Sequence, residues 1–241
     1  MSTAQTQHLV LRRSVRGLWD HLPMLLVASV AVCVVTTLVL LIAPGVTPLS
    51  TLLAAVAIAP SVGALFAVVD DVLSRDESRP ATWVKALRNG AIRSITAVLP
   101  LAVSLVLTLV AVEVWRRTHM PVALAPVGVG GATTTLLVPV TVAVLGGSGL
   151  IEPGTSAGER WAQACGLVLR WPVRFAAAPA LLVAGVWLTT QVTASIALLV
   201  PAPVAMIAGA ALWTSAVEAG SANSIDGVTV ARSRSLRKEY A

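Results

Sequence analysis

The stretch that decides the fold is LSTLLAAVAIAPSVGALFAVV (Leu49–Val69), followed by DDVLSRDESRPATWVKALRNGAIRS (Asp70–Ser94) and ITAVLPLAVSLVLTLVAVEV (Ile95–Val114). An α-helix rises by about 1.5 Å per residue, so about 20 apolar residues cross a hydrocarbon core of about 30 Å. Both apolar runs reach this length, whereas the segment between them is rich in charges. The pattern predicts two membrane-spanning helices joined by a charged segment at one membrane surface.

The same pattern continues along the whole chain. Apolar residues make up 56% of the sequence and charged residues only 12%, a balance that is unusual for soluble domains. No run alternates as a membrane β-strand would. The sequence therefore predicts an all-α, polytopic membrane protein, with residues 1–241 as a single integral membrane domain. The six predicted transmembrane helices are Pro23–Ile42, Leu49–Val69, Ile95–Val114, Val122–Leu145, Pro172–Val192 and Ile196–Val217.

The basic residues predict the orientation of these spans. Of the 17 Lys and Arg residues, only Arg116 and Arg117 lie on one side of the predicted spans. Cytoplasmic segments of membrane proteins are enriched in Lys and Arg, so we predict that residues 1–16 and a basic tail, residues 221–241, are both cytoplasmic. The predicted location is the bacterial cytoplasmic (inner) membrane. Because topology explains the positive charge, no nucleic acid partner is expected.

A shift of 79 positions aligns prolines in different parts of the chain. Pro60 then falls on Pro139, and Pro100 falls on Pro179. We interpret this as a two-span unit used three times, as parallel repeats because each unit crosses an even number of times. The third unit fits least well, since Glu218 stands where another proline is expected. With 14 prolines in the chain, chance coincidence is the alternative.

Two connections contain a tryptophan that opens an amphipathic stretch, WVKALRN and WAQACGL. Helices with Trp on one face and basic residues on the other favour the headgroup layer, and Ser156 and Glu159 have the spacing of a capping box. We predict two interfacial amphipathic helices, which either rest on lipid or dock a cytoplasmic partner such as an ATPase subunit. The residues assigned to lipid or partner docking are Trp83, Lys85, Arg88, Trp161, Arg160 and Arg170.

The sequence contains no recognisable catalytic constellation. Walker A, HExxH, GxSxG and CxxC motifs are all missing from it, so we expect no enzyme activity, cofactor or metal site. No charged residue lies near the centre of a predicted span, which argues against a proton-coupled antiporter. Glu113 lies one helical turn before Arg116 and Arg117, and we predict a surface ion pair there.

Uncharged polar clusters lie in the predicted fourth and fifth spans. They either form hydrogen bonds between helices or line a polar substrate path, and Glu218 is the acidic residue best placed for a proton or cation role. The candidate path comprises Thr133, Thr134, Thr135, Thr189, Thr190, Gln191 and Glu218.

Small residues spaced four apart form a stripe along the second predicted span. Such a stripe lets two helices approach closely, and Pro60 offers a kink beside it. Leu65 is expected on the neighbouring face. The predicted helix-packing residues are Ala55, Ala59, Gly63 and Ala67.

Three segments, Gly17–Asp20, Pro60–Glu77 and Trp83–Asn89, resemble the YesL-like family of small bacterial integral membrane proteins. The shared features are an early pair of apolar runs, a Pro-x-x-x-Ala-Leu segment, a charged turn and an aromatic and basic helix that ends near Asn. This chain has Trp83 where the family often has phenylalanines. Members have no established activity, but the resemblance implies an association with carbohydrate ABC uptake systems.

The sequence predicts a non-enzymatic inner-membrane protein, and the resemblance implies that it is an accessory component of carbohydrate ABC transport. The expected partners are the lipid bilayer and ABC transporter subunits. The alternative is an autonomous transporter or exporter of a small uncharged or amphipathic solute. Substrate and oligomeric state are not specified by the sequence.

Overall fold

The computed structural model describes residues 12, 14–75, 80–147, 156–192 and 197–219, and every regular element in these ranges is helical. The predicted basic tail, residues 221–241, and most of residues 1–16 lie outside the described residues. The helices are α1 (residues 14–20), α2 (Leu22–Ile42), α3 (Pro48–Arg75), α4 (Pro80–Thr118), α5 (Leu124–Gly146), α6 (Ala157–Arg170), α7 (Pro172–Gln191) and α8 (Pro201–Glu218), and a 3₁₀ turn, Pro121–Ala123, precedes α5.

Five of the described helices are long and apolar enough to cross a membrane. They are α2, α3, α4, α5 with its preceding turn, and α7. Large apolar side chains such as Leu41 and Val129 are exposed on their outer surfaces, as expected where a helix faces acyl chains. The described chain is thus all-helical and has the character of a polytopic membrane protein, as predicted.

Helix α8 lies in the centre of the bundle and is not one of these five helices. Most of its residues between Ala202 and Val217 are buried, on every side of the helix, and it packs against α2, α3, α5 and α7. A Cβ at Gly209 would lie only 2.8 Å from the Val69 side chain of α3. An enclosed helix needs small side chains for close packing more than it needs strongly apolar ones, which explains why α8 is rich in alanine.

Ala197, which follows α7 and precedes α8, lies beside the middle of α2. Cys33 Sγ, in α2, donates a hydrogen bond to the carbonyl oxygen of Ala197 at 3.3 Å. Pro201 then takes the first position of α8, where its missing N–H leaves no helical hydrogen bond unmade. The last span was predicted at Ile196–Val217, and the helix instead begins at this proline and ends at Glu218.

The stretch that begins at Trp83 is not a separate surface helix, contrary to the sequence-based prediction. Helix α4 runs through it without a break, so the stretch forms the N-terminal part of the helix that contains the third predicted span. The stretch that begins at Trp161 does form a separate helix, α6, which ends just before Pro172. Proline disfavours helical geometry in the residue before it. Under the shift of 79 positions, Pro172 corresponds to Arg93. Helix α4 therefore has no proline at that position and continues without a break.

Candidate functional site

The ends of α3 and α5 meet the beginnings of α4 and α6 at one end of the bundle, which we call the basic end. Arg93 of α4 lies within electrostatic reach of Arg160 of α6 and of Asp70 of α3. The carboxylate of Asp70 also accepts a hydrogen bond of 3.1 Å from Trp213 Nε1 of α8. Asp70 thus attracts Arg93 and binds Trp213, whereas Arg93 and Arg160 bring two like charges close together.

Helix α6 begins with the predicted capping box. The Ser156 side chain accepts a hydrogen bond from the Glu159 backbone N–H, and Glu159 Oε2 accepts one of 2.9 Å from the Ser156 N–H. These bonds satisfy two N–H groups that a helix start otherwise leaves unpaired. Ala164 and Val168 are buried against the rest of the bundle, so α6 is held by its apolar face.

The two tryptophans assigned to docking are half-buried in the protein. Trp83 packs against the core formed by α2, α3 and α8, and Trp161 packs against the core around α5 and α7. Trp83 Nε1 is buried and finds no hydrogen-bond partner among the described residues. The rings therefore attach their helices to the bundle instead of projecting from it.

Three of the cations assigned to docking project from the basic end. Lys85, Arg88 and Arg170 are exposed, whereas Arg160 is half-buried. The Arg170 guanidinium lies 4.8 Å from the centre of the Trp171 ring, within the range of a cation–π contact.

A cleft of about 350 Å³ opens between α4 and the ends of α3 and α5. One face of α4 forms its polar wall, because residues three or four apart in a helix lie on one side. That wall includes Lys85, Asn89, Arg93 and Ser94, while the opposite walls are small and apolar, with Gly63 from α3 among them.

The predicted polar path in α5 is divided between two sides of the helix. Thr133 and Thr135 are exposed, and their hydroxyls donate to backbone carbonyls of their own helix at 2.8 Å. Thr134 faces α4, with its Oγ1 at 3.0 Å from Ser104 Oγ and 3.4 Å from Thr108 Oγ1. This hydroxyl cluster joins two helices.

The remaining candidates for the path lie at opposite ends of the α7–α8 pair. Thr189 and Thr190 donate to carbonyls of α7 itself, and Gln191 next to them is exposed. Glu218 lies at the other end, where its Oε1 accepts a hydrogen bond of 2.7 Å from Arg174. The structure therefore does not bring these threonines and this glutamate together.

The predicted small-residue stripe of α3 runs beside α4. Gly63 lies so close to Ser94 that a Cβ there would overlap Ser94 Oγ. Ala59 is buried, with 3% of its surface exposed, and Ala55 and Ala67 are half-buried.

Sequence reasoning missed several residues of the basic end. Asn89 and Arg93 line the cleft, but only Lys85 of that wall was assigned a role. Their spacing, four and eight positions after Lys85, places all three on one helix face and could have identified them. No such spacing identifies Asp70 or Arg174, because their partners Trp213 and Glu218 are distant in sequence.

Within the described parts of the chain, no group of three or more His, Cys, Asp or Glu side chains could hold a metal ion. No known protein family, curated protein or solved structure matches this chain.

Proposed function

We propose that this protein is a non-enzymatic accessory component of a bacterial inner membrane, associated with a carbohydrate ABC transporter. The observation that supports a docking role is the set of exposed cations at the basic end. Within the described residues, neither Lys85 nor Arg88 forms an ion pair. Such cations attract acidic surfaces of a partner as well as anionic lipid. The resemblance to the YesL-like family indicates the kind of partner, namely subunits of a carbohydrate ABC transporter.

The proposed topology has six crossings, with both termini in the cytoplasm and α8 as the sixth span. The ion pair between Arg174 and Glu218 supports it, because it sets the end of α8 beside the start of α7. We further propose three parallel two-span repeats. In support, Pro60 and Pro139 lie inside α3 and α5, and Pro100 and Pro179 lie inside α4 and α7.

The alternative of an autonomous transporter has less support. Four of the threonines on the predicted path donate their hydroxyl hydrogen bonds to backbone carbonyls of their own helices. Thr134 joins α4 to α5. Glu218 is engaged by Arg174. These partners fit a structural role for the same residues.

Co-purification tests the accessory role. The full chain carries an affinity tag in the bacterium that encodes it, and its membranes are cross-linked before solubilisation. We expect ATPase or permease subunits of a carbohydrate ABC transporter to be enriched, and the double charge reversal Lys85→Glu and Arg88→Glu to abolish their recovery while membrane insertion persists.

The matched control reverses two exposed cations at the opposite end of α4, Arg116→Glu and Arg117→Glu. This variant should retain the transporter subunits. Unchanged recovery in the Lys85→Glu, Arg88→Glu variant would contradict docking through the basic end.

A further inference from the structure

The cleft beside α4 contains two cations that form no ion pair with the described residues. Among the described residues, Lys85, Asn89 and Arg93 have no ion pair and no side-chain hydrogen bond. Arg93 also lies near Arg160, which has the same charge, and near Asp70, which has the opposite charge. Two cations and an amide donor that bind no other described side chain favour an anionic ligand.

The size and shape of the cleft fit a small anionic group. Its volume of about 350 Å³ lies within the range of small-molecule sites. Lys85 and Arg93 are two turns apart, about 12 Å along the helix, so their long side chains can approach a ligand from both sides of Asn89. The opposite wall has no side chain at Gly63, and the Ser94 hydroxyl packs closely against that glycine.

The hydrogen-bond donors of the cleft indicate which class of anion it binds. Guanidinium groups suit the paired oxygens of phosphates, and lysine contributes a compact charge and three donors. The Asn89 amide and the Ser94 hydroxyl add further donors, and the several oxygens of a phosphate can accept from them as well as from the two cations. Arg93 also stands two residues before the third predicted span, so the proposed topology sets it near the lipid headgroups.

We infer that this cleft binds a phosphate group, carried either by a membrane glycerophospholipid or by a small soluble phosphate compound. Lys85, Asn89 and Arg93 hold the phosphate oxygens. The inference shares Lys85 with the proposed docking of a transporter. Asn89 and Arg93 belong to the cleft alone, and Arg88 lies outside it and serves only the docking proposal.

The test uses the full chain purified in an uncharged maltoside detergent, with thermal unfolding as the readout. One arm adds glycerol 3-phosphate at constant ionic strength in chloride. The other arm adds mixed micelles that contain phosphatidylglycerol, with detergent alone as reference. We expect at least one of these additions to raise the melting temperature, and the arm with the lower half-maximal concentration identifies the source of the phosphate.

The variants Lys85→Gln and Arg93→Gln should each raise the half-maximal concentration by about tenfold or more, the loss expected for one hydrogen bond to a charged group. The matched control is Arg88→Gln, which removes the same charge from the same helix and should respond like the unchanged protein. If Arg93→Gln does not purify, Lys85→Gln and Asn89→Ala carry the comparison. The assignment would be overturned if neither addition raised the melting temperature. It would also be overturned if Arg88→Gln raised the half-maximal concentration as much as the cleft variants do.

Discussion

Trp213 Nε1 donates a hydrogen bond of 3.1 Å to Asp70 Oδ1, which joins α8 to α3 across 143 positions of sequence. The indole is almost completely buried, and a buried N–H without an acceptor is costly. The bond therefore fixes the axial position of α8 relative to α3, beside the close contact of Gly209 with Val69.

Replacing Trp213 by phenylalanine should lower the stability of the protein. Phe keeps an apolar ring but removes the donor, and hydrogen bonds to charged groups contribute about 1.5–3 kcal/mol. Thermal melting in detergent measures the loss. Trp187→Phe is the control, because that ring is 64% exposed on α7. Equal melting temperatures for the two variants would show that the bond to Asp70 does not stabilise the bundle.

Adding one methyl group at Gly63 should destabilise the contact between α3 and α4. Its Cβ would overlap Ser94 Oγ, and overpacking of this kind costs about 1–3 kcal/mol. Gly131→Ala provides the contrast, because a Cβ there meets nothing within 4 Å and alanine favours a helix by up to about 1 kcal/mol over glycine. Ser94→Gly should partly rescue Gly63→Ala. A Gly63→Ala variant that melts like the parent would contradict the close contact.

Neutralising Glu218 should destabilise the pairing of α7 with α8. The Arg174 and Glu218 side chains are only 36% and 22% exposed. Glu218→Gln should therefore lower the free energy of unfolding by more than the about 1 kcal/mol that limits surface ion pairs. The decrease should be smaller than the about 3–5 kcal/mol that is typical of breaking a fully buried pair. Chemical denaturation measures the difference.

Glu113→Gln is the matched control for this change. Glu113 pairs with Arg117 at 2.7 Å in a more exposed position, so Glu113→Gln should lower the free energy of unfolding less than Glu218→Gln does. A larger effect at Glu113 than at Glu218 would reverse the expected order.

Cysteine labelling tests the orientation of the bundle. In a background with Cys33→Ala and Cys165→Ala, a membrane-impermeant maleimide should label His119→Cys in intact cells. It should label Gly158→Cys, on α6, only after lysis, because the basic end faces the cytoplasm in the proposed topology. The opposite labelling pattern would invert the protein in the membrane.

The local features were predictable from the sequence. The capping box of Ser156 and Glu159 and the ion pair of Glu113 with Arg117 are both confirmed. Each depends only on residues three or four apart, which any α-helix brings together. The apolar runs likewise predicted helices able to span a membrane, because length and composition decide that property.

The tertiary structure decided which side of each helix faces a neighbour. Leu65 was expected beside the packing stripe, yet it is only 2% exposed, and the last helix became the centre of the bundle. The cleft and the contacts of Asp70 with Trp213 and of Arg174 with Glu218 also exist only in the folded chain. The physical reason is that lipid and protein interior are both apolar. Hydrophobic periodicity, which separates core from surface in water, therefore carries little information inside a membrane.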